Sequence, residues 1–124
     1  MLINLLRESA RKHAEKTAIV YDNWRVSYKE LYDDVLRLGN GLHSLGIKQG
    51  DCLALILPNC PEFIAAFYAA ARLNASLLLV NPALAEAEIK YYISDSKAVA
   101  IITDPLRAGA CRNIIAGAEE EIGL

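Results

Sequence analysis

The sequence has few of the residues from which metal sites and disulfide frameworks are built. Its 124 residues include three cysteines and two histidines. The cysteine count is odd and no CxxC pair occurs, so neither a disulfide framework nor a zinc site is predicted. His13 and His43 are expected on exposed helix positions, with no second ligand spaced for a shared metal ion. We predict that the cysteines (Cys52, Cys60 and Cys111) are small buried hydrophobic residues in a reducing compartment.

No segment is long and apolar enough to cross a bilayer. The apolar runs 53–57 and 63–71 fall well short of the ~20 residues that a membrane-spanning helix needs. The apolar start of the chain has no basic segment before it and leads directly into Arg7-Glu8-Ser9, unlike a secretory signal peptide. The net charge is −2, which gives no support to nucleic-acid binding. We therefore predict a cytoplasmic protein without a nucleic-acid partner.

The sequence also lacks the usual signatures of phosphate binding and of acid–base chemistry. Its seven glycines are scattered. Gly39-Asn40-Gly41 begins like a dinucleotide fingerprint, but Ser44 stands where the third glycine belongs and the run lies within a predicted helix. Asp33 and Asp34 are adjacent on that helix and do not converge, and the acidic run 119–121 is expected to be solvated. We predict no catalytic, cofactor-binding or metal-binding residue in this chain.

What is present suits a globular domain. Hydrophobic residues make up 54% of the chain and charged residues 23%, so one domain can bury a core. Helical spacing of Ile3, Leu6, Ala10 and Ala14 predicts an amphipathic helix over 3–14. Two β-prone runs, 18–21 and 24–28, follow on either side of a turn-forming Asp-Asn pair, which predicts a hairpin.

A capping box opens the next helix. The Ser27 hydroxyl can accept from the backbone N–H of Glu30, whose carboxylate can accept from the N–H of Ser27. Gly46 can adopt the left-handed conformation that ends a helix, and Ile47 can pack back on the last turn. The residues that we expect this helix to bury are Leu31, Val35, Leu38, Leu42 and Leu45.

Apolar β-prone runs then alternate with helical segments. Buried strands are predicted at 52–57 and 76–80, a third apolar strand at 99–103, and helices at 61–73, 85–94 and 105–116. We expect the first of these helices to be buried almost all round, and Ile89, Tyr92 and Ile93 to face inward in the second. This alternation predicts an α/β fold: a parallel sheet of βαβ units with helices on both faces, preceded by the helix and hairpin.

A parallel sheet normally binds ligands at the carboxyl ends of its strands. Those ends carry Pro58-Asn59, Asn81-Pro82 and Asp104-Pro105. Strand endings and helix starts explain proline, asparagine and aspartate at these positions. We therefore favour a structural role for all three.

Several short motifs follow one another in order and cover residues 1 to about 104. They are Ser27-Tyr28-Lys29-Glu30-Leu31, Gly41-Leu42, Leu45-Gly46-Ile47, Gly50-Asp51, Leu57-Pro58-Asn59, Glu62-Phe63, Val80-Asn81-Pro82, Glu88-Ile89, Tyr92-Ile93 and Asp95-Ser96. Together they resemble the adenylate-forming (AMP-binding) superfamily, most of all an acyl-CoA synthetase or long-chain fatty-acid–CoA ligase. Two positions depart from the family pattern: Asn74 stands where glycine is usual, and Ala85 where serine or threonine is usual.

The resemblance implies an enzyme that activates a carboxylic acid, fatty in class, with ATP and Mg²⁺ to an acyl adenylate and transfers the acyl group to coenzyme A. The family does this with a Ser/Thr/Gly-rich phosphate loop, a ribose-binding acid and a lysine of a small C-terminal domain. None of these maps onto residues 1–124, so no site residue is carried over. The resemblance implies that the chain is the N-terminal part of the large domain, inactive alone and partnered by the rest of the same polypeptide.

Two further expectations remain open. A truncated sheet leaves an edge strand unpaired, so we expect self-association through that edge. A stand-alone, non-catalytic α/β module that binds a partner is the alternative to the ligase fragment. A flavodoxin-like ligand domain is a third hypothesis, which would require flavin or nucleotide binding by the isolated chain.

Overall fold

The computed structural model of the protein describes residues 2–114 and 122–123. Within them, helices and strands alternate after an initial helix and hairpin. In chain order the elements are α1 (Leu2–Lys12), β1 (Thr17–Tyr21), β2 (Trp24–Ser27), α2 (Tyr28–Ser44), β3 (Cys52–Ile56), α3 (Pro61–Arg72), β4 (Ser76–Leu79), α4 (Glu86–Ser96), β5 (Ala100–Thr103), α5 (Pro105–Ile114) and β6 (Ile122–Gly123). Among these residues, no helix combines the length and the apolarity that a membrane crossing requires.

The hairpin and the capping box form as predicted. Strands β1 and β2 pair antiparallel with Tyr21 opposite Trp24, and Asp22 turns the chain at a φ of 54°. The Glu30 N–H donates to Ser27 Oγ and the Ser27 N–H donates to Glu30 Oε1, both at 3.1 Å. Local hydrogen bonds thus fix the start of α2.

The predicted C-terminal cap of α2 is present, but one residue near this end of the helix is less buried than predicted. Gly46 has a φ of 92°, and the Ile47 N–H donates to the Leu42 carbonyl at 3.1 Å. Ile47 is buried, which completes the predicted C-terminal cap. Leu45, expected in the core, is 40% exposed. Ile47 therefore packs on the last turn as predicted, whereas the expected burial of Leu45 is wrong.

The main sheet is parallel, with strands in the order β4-β3-β5-β6. Helices cover both of its faces, so the predicted α/β class is confirmed. The sequence prediction ended the sheet at its third parallel strand, whereas a short fourth strand, β6, pairs with β5. The predicted acidic run 119–121 and the predicted end of the last helix at 116 lie outside the described residues.

The two faces of the sheet have separate cores. Leu53, Leu55 and Ile102 belong to a cluster with α1, α2, α3 and the hairpin. Ala54, Ile56 and Ile101 belong to a second cluster with residues of α4 and α5. Alternate residues of one strand point to opposite faces, so the apolar runs of β3 and β5 supply both cores.

Besides Leu45, three further expectations about burial are wrong, and two of them concern one edge of the sheet. Strand β4 is an edge strand, and its Leu79 is 54% exposed. Phe67 of α3, expected to be buried, is 39% exposed. In α4, Ile89 and Ile93 are buried as expected, but Tyr92 is 45% exposed. The apolar composition of these segments predicted more burial than the edge of a small sheet provides.

Candidate functional site: the carboxyl edge of the sheet

The order of the strands locates the switch point of the sheet. Strand β4, which follows β3 through helix α3, pairs along one edge of β3. Strand β5, which follows β4 through helix α4, pairs along the other edge of β3. The connection therefore changes direction between β3 and β5. In open α/β sheets, ligands bind in the crevice outside the carboxyl ends of the strands at such a point.

The end of β5 is held by its own polar side chains. Thr103 is buried, and its hydroxyl donates to the Ile56 carbonyl at 2.9 Å, which ties the ends of β5 and β3 together. Asp104 Oδ1 accepts from the Arg107 N–H at 3.0 Å, and Oδ2 pairs with the Arg107 guanidinium. Asp104 is thus the predicted N-cap of α5, and its carboxylate is occupied by local partners.

The end of β4 is a turn closed by Asn81. Its side-chain Oδ1 accepts from the Ala83 N–H at 2.9 Å, and its carbonyl accepts from the Leu84 N–H at 3.1 Å. Asparagine favours such turns because its side chain imitates a backbone acceptor. These two hydrogen bonds of Asn81 are consistent with the structural role predicted for Asn81-Pro82.

At the end of β3, the Asn59 side chain has fewer hydrogen bonds than the polar side chains that end β4 and β5. Pro58 and Asn59 are exposed, and Asn59 is among the described residues without a side-chain hydrogen bond. Cys60 occupies the N-cap position of α3, but its side chain makes no capping hydrogen bond. Burial raises the pKa of the half-buried Cys60 thiol, which disfavours its thiolate form. Of the three cysteines predicted to be buried, Cys111 is buried, whereas Cys52 and Cys60 are only partly buried.

An open cleft of about 460 Å³ lies where the ends of β3 and β4 meet the first turn of α3. Its lining contains no carboxylate, cation, hydroxyl or thiol side chain; the amides of Asn59 and Asn81 are its polar side-chain groups. The lining residues are Leu57, Pro58, Asn59, Phe63, Leu79, Val80, Asn81 and Pro82. The cleft can accept apolar surface, but it holds no group that could carry out acid–base or nucleophilic chemistry.

The other features that the sequence singled out lie elsewhere and are not brought together. The Gly39-Asn40-Gly41 run lies inside α2, where Asn40 Oδ1 accepts from Arg72 Nη1 at 3.2 Å. A Cβ on Gly39 would lie 3.3 Å from the same nitrogen, so this glycine permits close contact between α2 and α3. His13 and His43 are both exposed.

The acidic residues of α2 pair locally, as expected for a solvated helix face. Asp33 lies 3.5 Å from the Lys29 ammonium, and Asp34 lies 2.8 Å from the Arg37 guanidinium. Across the described residues, no group of three His, Cys, Asp or Glu side chains is placed to hold a metal ion. The side chains at the carboxyl edge therefore do not fit a magnesium–phosphate site by themselves, because the Asp104 carboxylate is already paired.

Sequence reasoning found the three strand ends but missed two features of this edge. The Thr103 hydroxyl bond between β5 and β3 was not predicted, although a threonine at the end of an apolar strand was a signal for it. The cleft was also missed, because it depends on where the first turn of α3 meets β4.

Comparison with known proteins identifies the family. The model of the AMP-binding enzyme family matches residues 6–122. The chain belongs to this family. Curated relatives of this AMP-binding chain include the long-chain-fatty-acid–CoA ligase of Bacillus subtilis, with 30% identity over 82% of the chain, and an acetyl-coenzyme A synthetase of Cupriavidus taiwanensis, with 35% identity over 90%. Triostin synthetase I of Streptomyces triostinicus is 39% identical over 78% of the chain.

Solved structures of AMP-binding relatives share the fold. A fatty acyl CoA synthetase of Mycobacterium tuberculosis has a TM-score of 0.88 and 30% identity over 99% of this chain, which corresponds to 26% of that structure. Coronafacic acid ligase of Pectobacterium brasiliense has a TM-score of 0.86 and 30% identity over 93% of this chain, or 23% of that structure. The matched part of the chain spans about 18% of the length of each curated relative named above.

Proposed function

We propose that residues 1–124 form the N-terminal part of the large domain of an ATP-dependent acid–CoA ligase, with the rest of the same polypeptide as their partner. In the proposed reaction a carboxylate oxygen attacks the α-phosphorus of ATP, forming an acyl adenylate and releasing pyrophosphate. The thiol of coenzyme A then attacks the acyl carbonyl carbon and releases AMP. This chain supplies scaffold, and the groups that hold ATP and Mg²⁺ come from outside it.

One observation carries the proposal: the family match extends over residues 6–122, nearly the entire described fold. The geometry agrees with a scaffolding role. The polar groups that end β4 and β5 are engaged in caps and turns, so their contribution is to fix the carboxyl edge rather than to react. A fatty acid is the proposed substrate class, because relatives named as fatty-acid–CoA ligases align over most of the chain.

A chimaeric enzyme tests the scaffolding role. The segment of the Bacillus subtilis long-chain-fatty-acid–CoA ligase that aligns with this chain is replaced by the corresponding residues of this chain. We expect the chimaera to retain fatty-acid-dependent ATP–pyrophosphate exchange. A control chimaera with Ile102→Asp places a charge in the core and should lose it. A folded chimaera without exchange would contradict the proposal.

The isolated chain gives the complementary test. We expect the 124-residue protein to catalyse no ATP–pyrophosphate exchange with fatty, aryl or short-chain acids, because the engaged groups of its carboxyl edge supply no site for the ATP phosphates. Measurable exchange by the purified chain would overturn the assignment of the chemistry to other parts of the polypeptide.

A stand-alone, non-catalytic α/β module is the second candidate. The apolar cleft at the ends of β3 and β4, which has no reactive group in its lining, is the feature that favours it. The reading frame after the codon for Leu124 separates the two. Continuation into a Ser/Thr/Gly-rich loop supports the ligase, and a stop codon there supports the module.

A further inference from the structure

We draw no further inference here: the strongest candidate, the open apolar cleft where the carboxyl ends of β3 and β4 meet the first turn of α3, carries none, because nothing in the structure shows what covers it.

Discussion

The two faces of the sheet are covered unequally. On one face α2 and α3 pack beside α1, and fully buried side chains such as Val35 and Leu42 join the strands in a single cluster. On the other face α4 and α5 provide the cover, and Tyr91 and Leu106 of these helices remain exposed. A well-covered face holds its side chains rigidly, whereas a thinly covered face can relax around a change.

Matched substitutions in β5 should show the largest difference in stability between the two faces. Ile101 and Ile102 are adjacent and almost completely buried, but they point to opposite faces. We expect Ile102→Ala to reduce the free energy of unfolding by about 4 kcal/mol, and Ile101→Ala by about 2.5 kcal/mol, because the thinner face can collapse around the cavity. Urea unfolding measures both, and equal or reversed losses would show that the two faces are equally rigid.

The start of α2 should give the next largest effect. Ser27→Ala removes the hydroxyl that accepts from the Glu30 N–H, and we expect a loss of about 1 kcal/mol. The change acts on the well-covered face. Thermal unfolding by circular dichroism measures it, with Ser44→Ala as a control, since Ser44 is an exposed serine at the other end of the same helix. Equal losses of stability in Ser27→Ala and Ser44→Ala would show that the Ser27 cap has no special role.

The start of α4 permits the opposite experiment on the thinner face. Ala85 is its N-cap, with a φ of −64° and a ψ of 149°, close to the values of Ser27, but it has no side-chain cap. Glu88 stands three residues later, so Ala85→Ser creates a complete capping box. We expect a gain of about 0.7 kcal/mol in the free energy of unfolding. Ala85→Ser in combination with Glu88→Ala should lose part of that gain, and an unchanged stability of Ala85→Ser would contradict the prediction.

Sequence alone predicted the features that depend on neighbouring residues. The Ser27 and Glu30 pair and the left-handed Gly46 fixed both ends of α2, because each device forms its hydrogen bonds within a few residues. Asn74, which stands where glycine is usual in the family, takes the left-handed conformation after α3 with a φ of 56°. The α/β class followed from the alternation of elements, which the strand order does not alter.

The features that were missed depend on contacts between distant segments. The apolar runs of β4 and β5 look alike in sequence, yet β4 is an edge strand and β5 is central, so the exposure of Leu79 could not be read locally. The cleft needs the first turn of α3 beside the end of β4. Its position and its apolar lining follow from the crossover, whereas the strand ends at its rim were evident from proline and asparagine.

The smallest predicted effect concerns β3, which both faces share. Asp51 opens this strand, and its Oδ2 accepts from the Lys48 backbone N–H at 2.9 Å. That hydrogen bond, assisted by the Lys48 ammonium, holds the pKa of the Asp51 carboxyl below its ordinary value. A folded-state pKa below the unfolded value stabilises the fold above the unfolded pKa of about 3.9, and the contribution is lost as the pH falls through the lowered folded pKa.

Asp51→Asn removes this titration while leaving an acceptor for the Lys48 N–H. We expect the variant to be less stable than the wild type at about pH 7, and the difference to shrink towards about pH 2, where the wild-type carboxyl is protonated. Urea unfolding at both pH values measures the difference. Because β3 belongs to both cores, combining Asp51→Asn with Ile101→Ala or with Ile102→Ala should add the same small loss to either. A loss confined to one combination would show that the shared strand is coupled to one face alone.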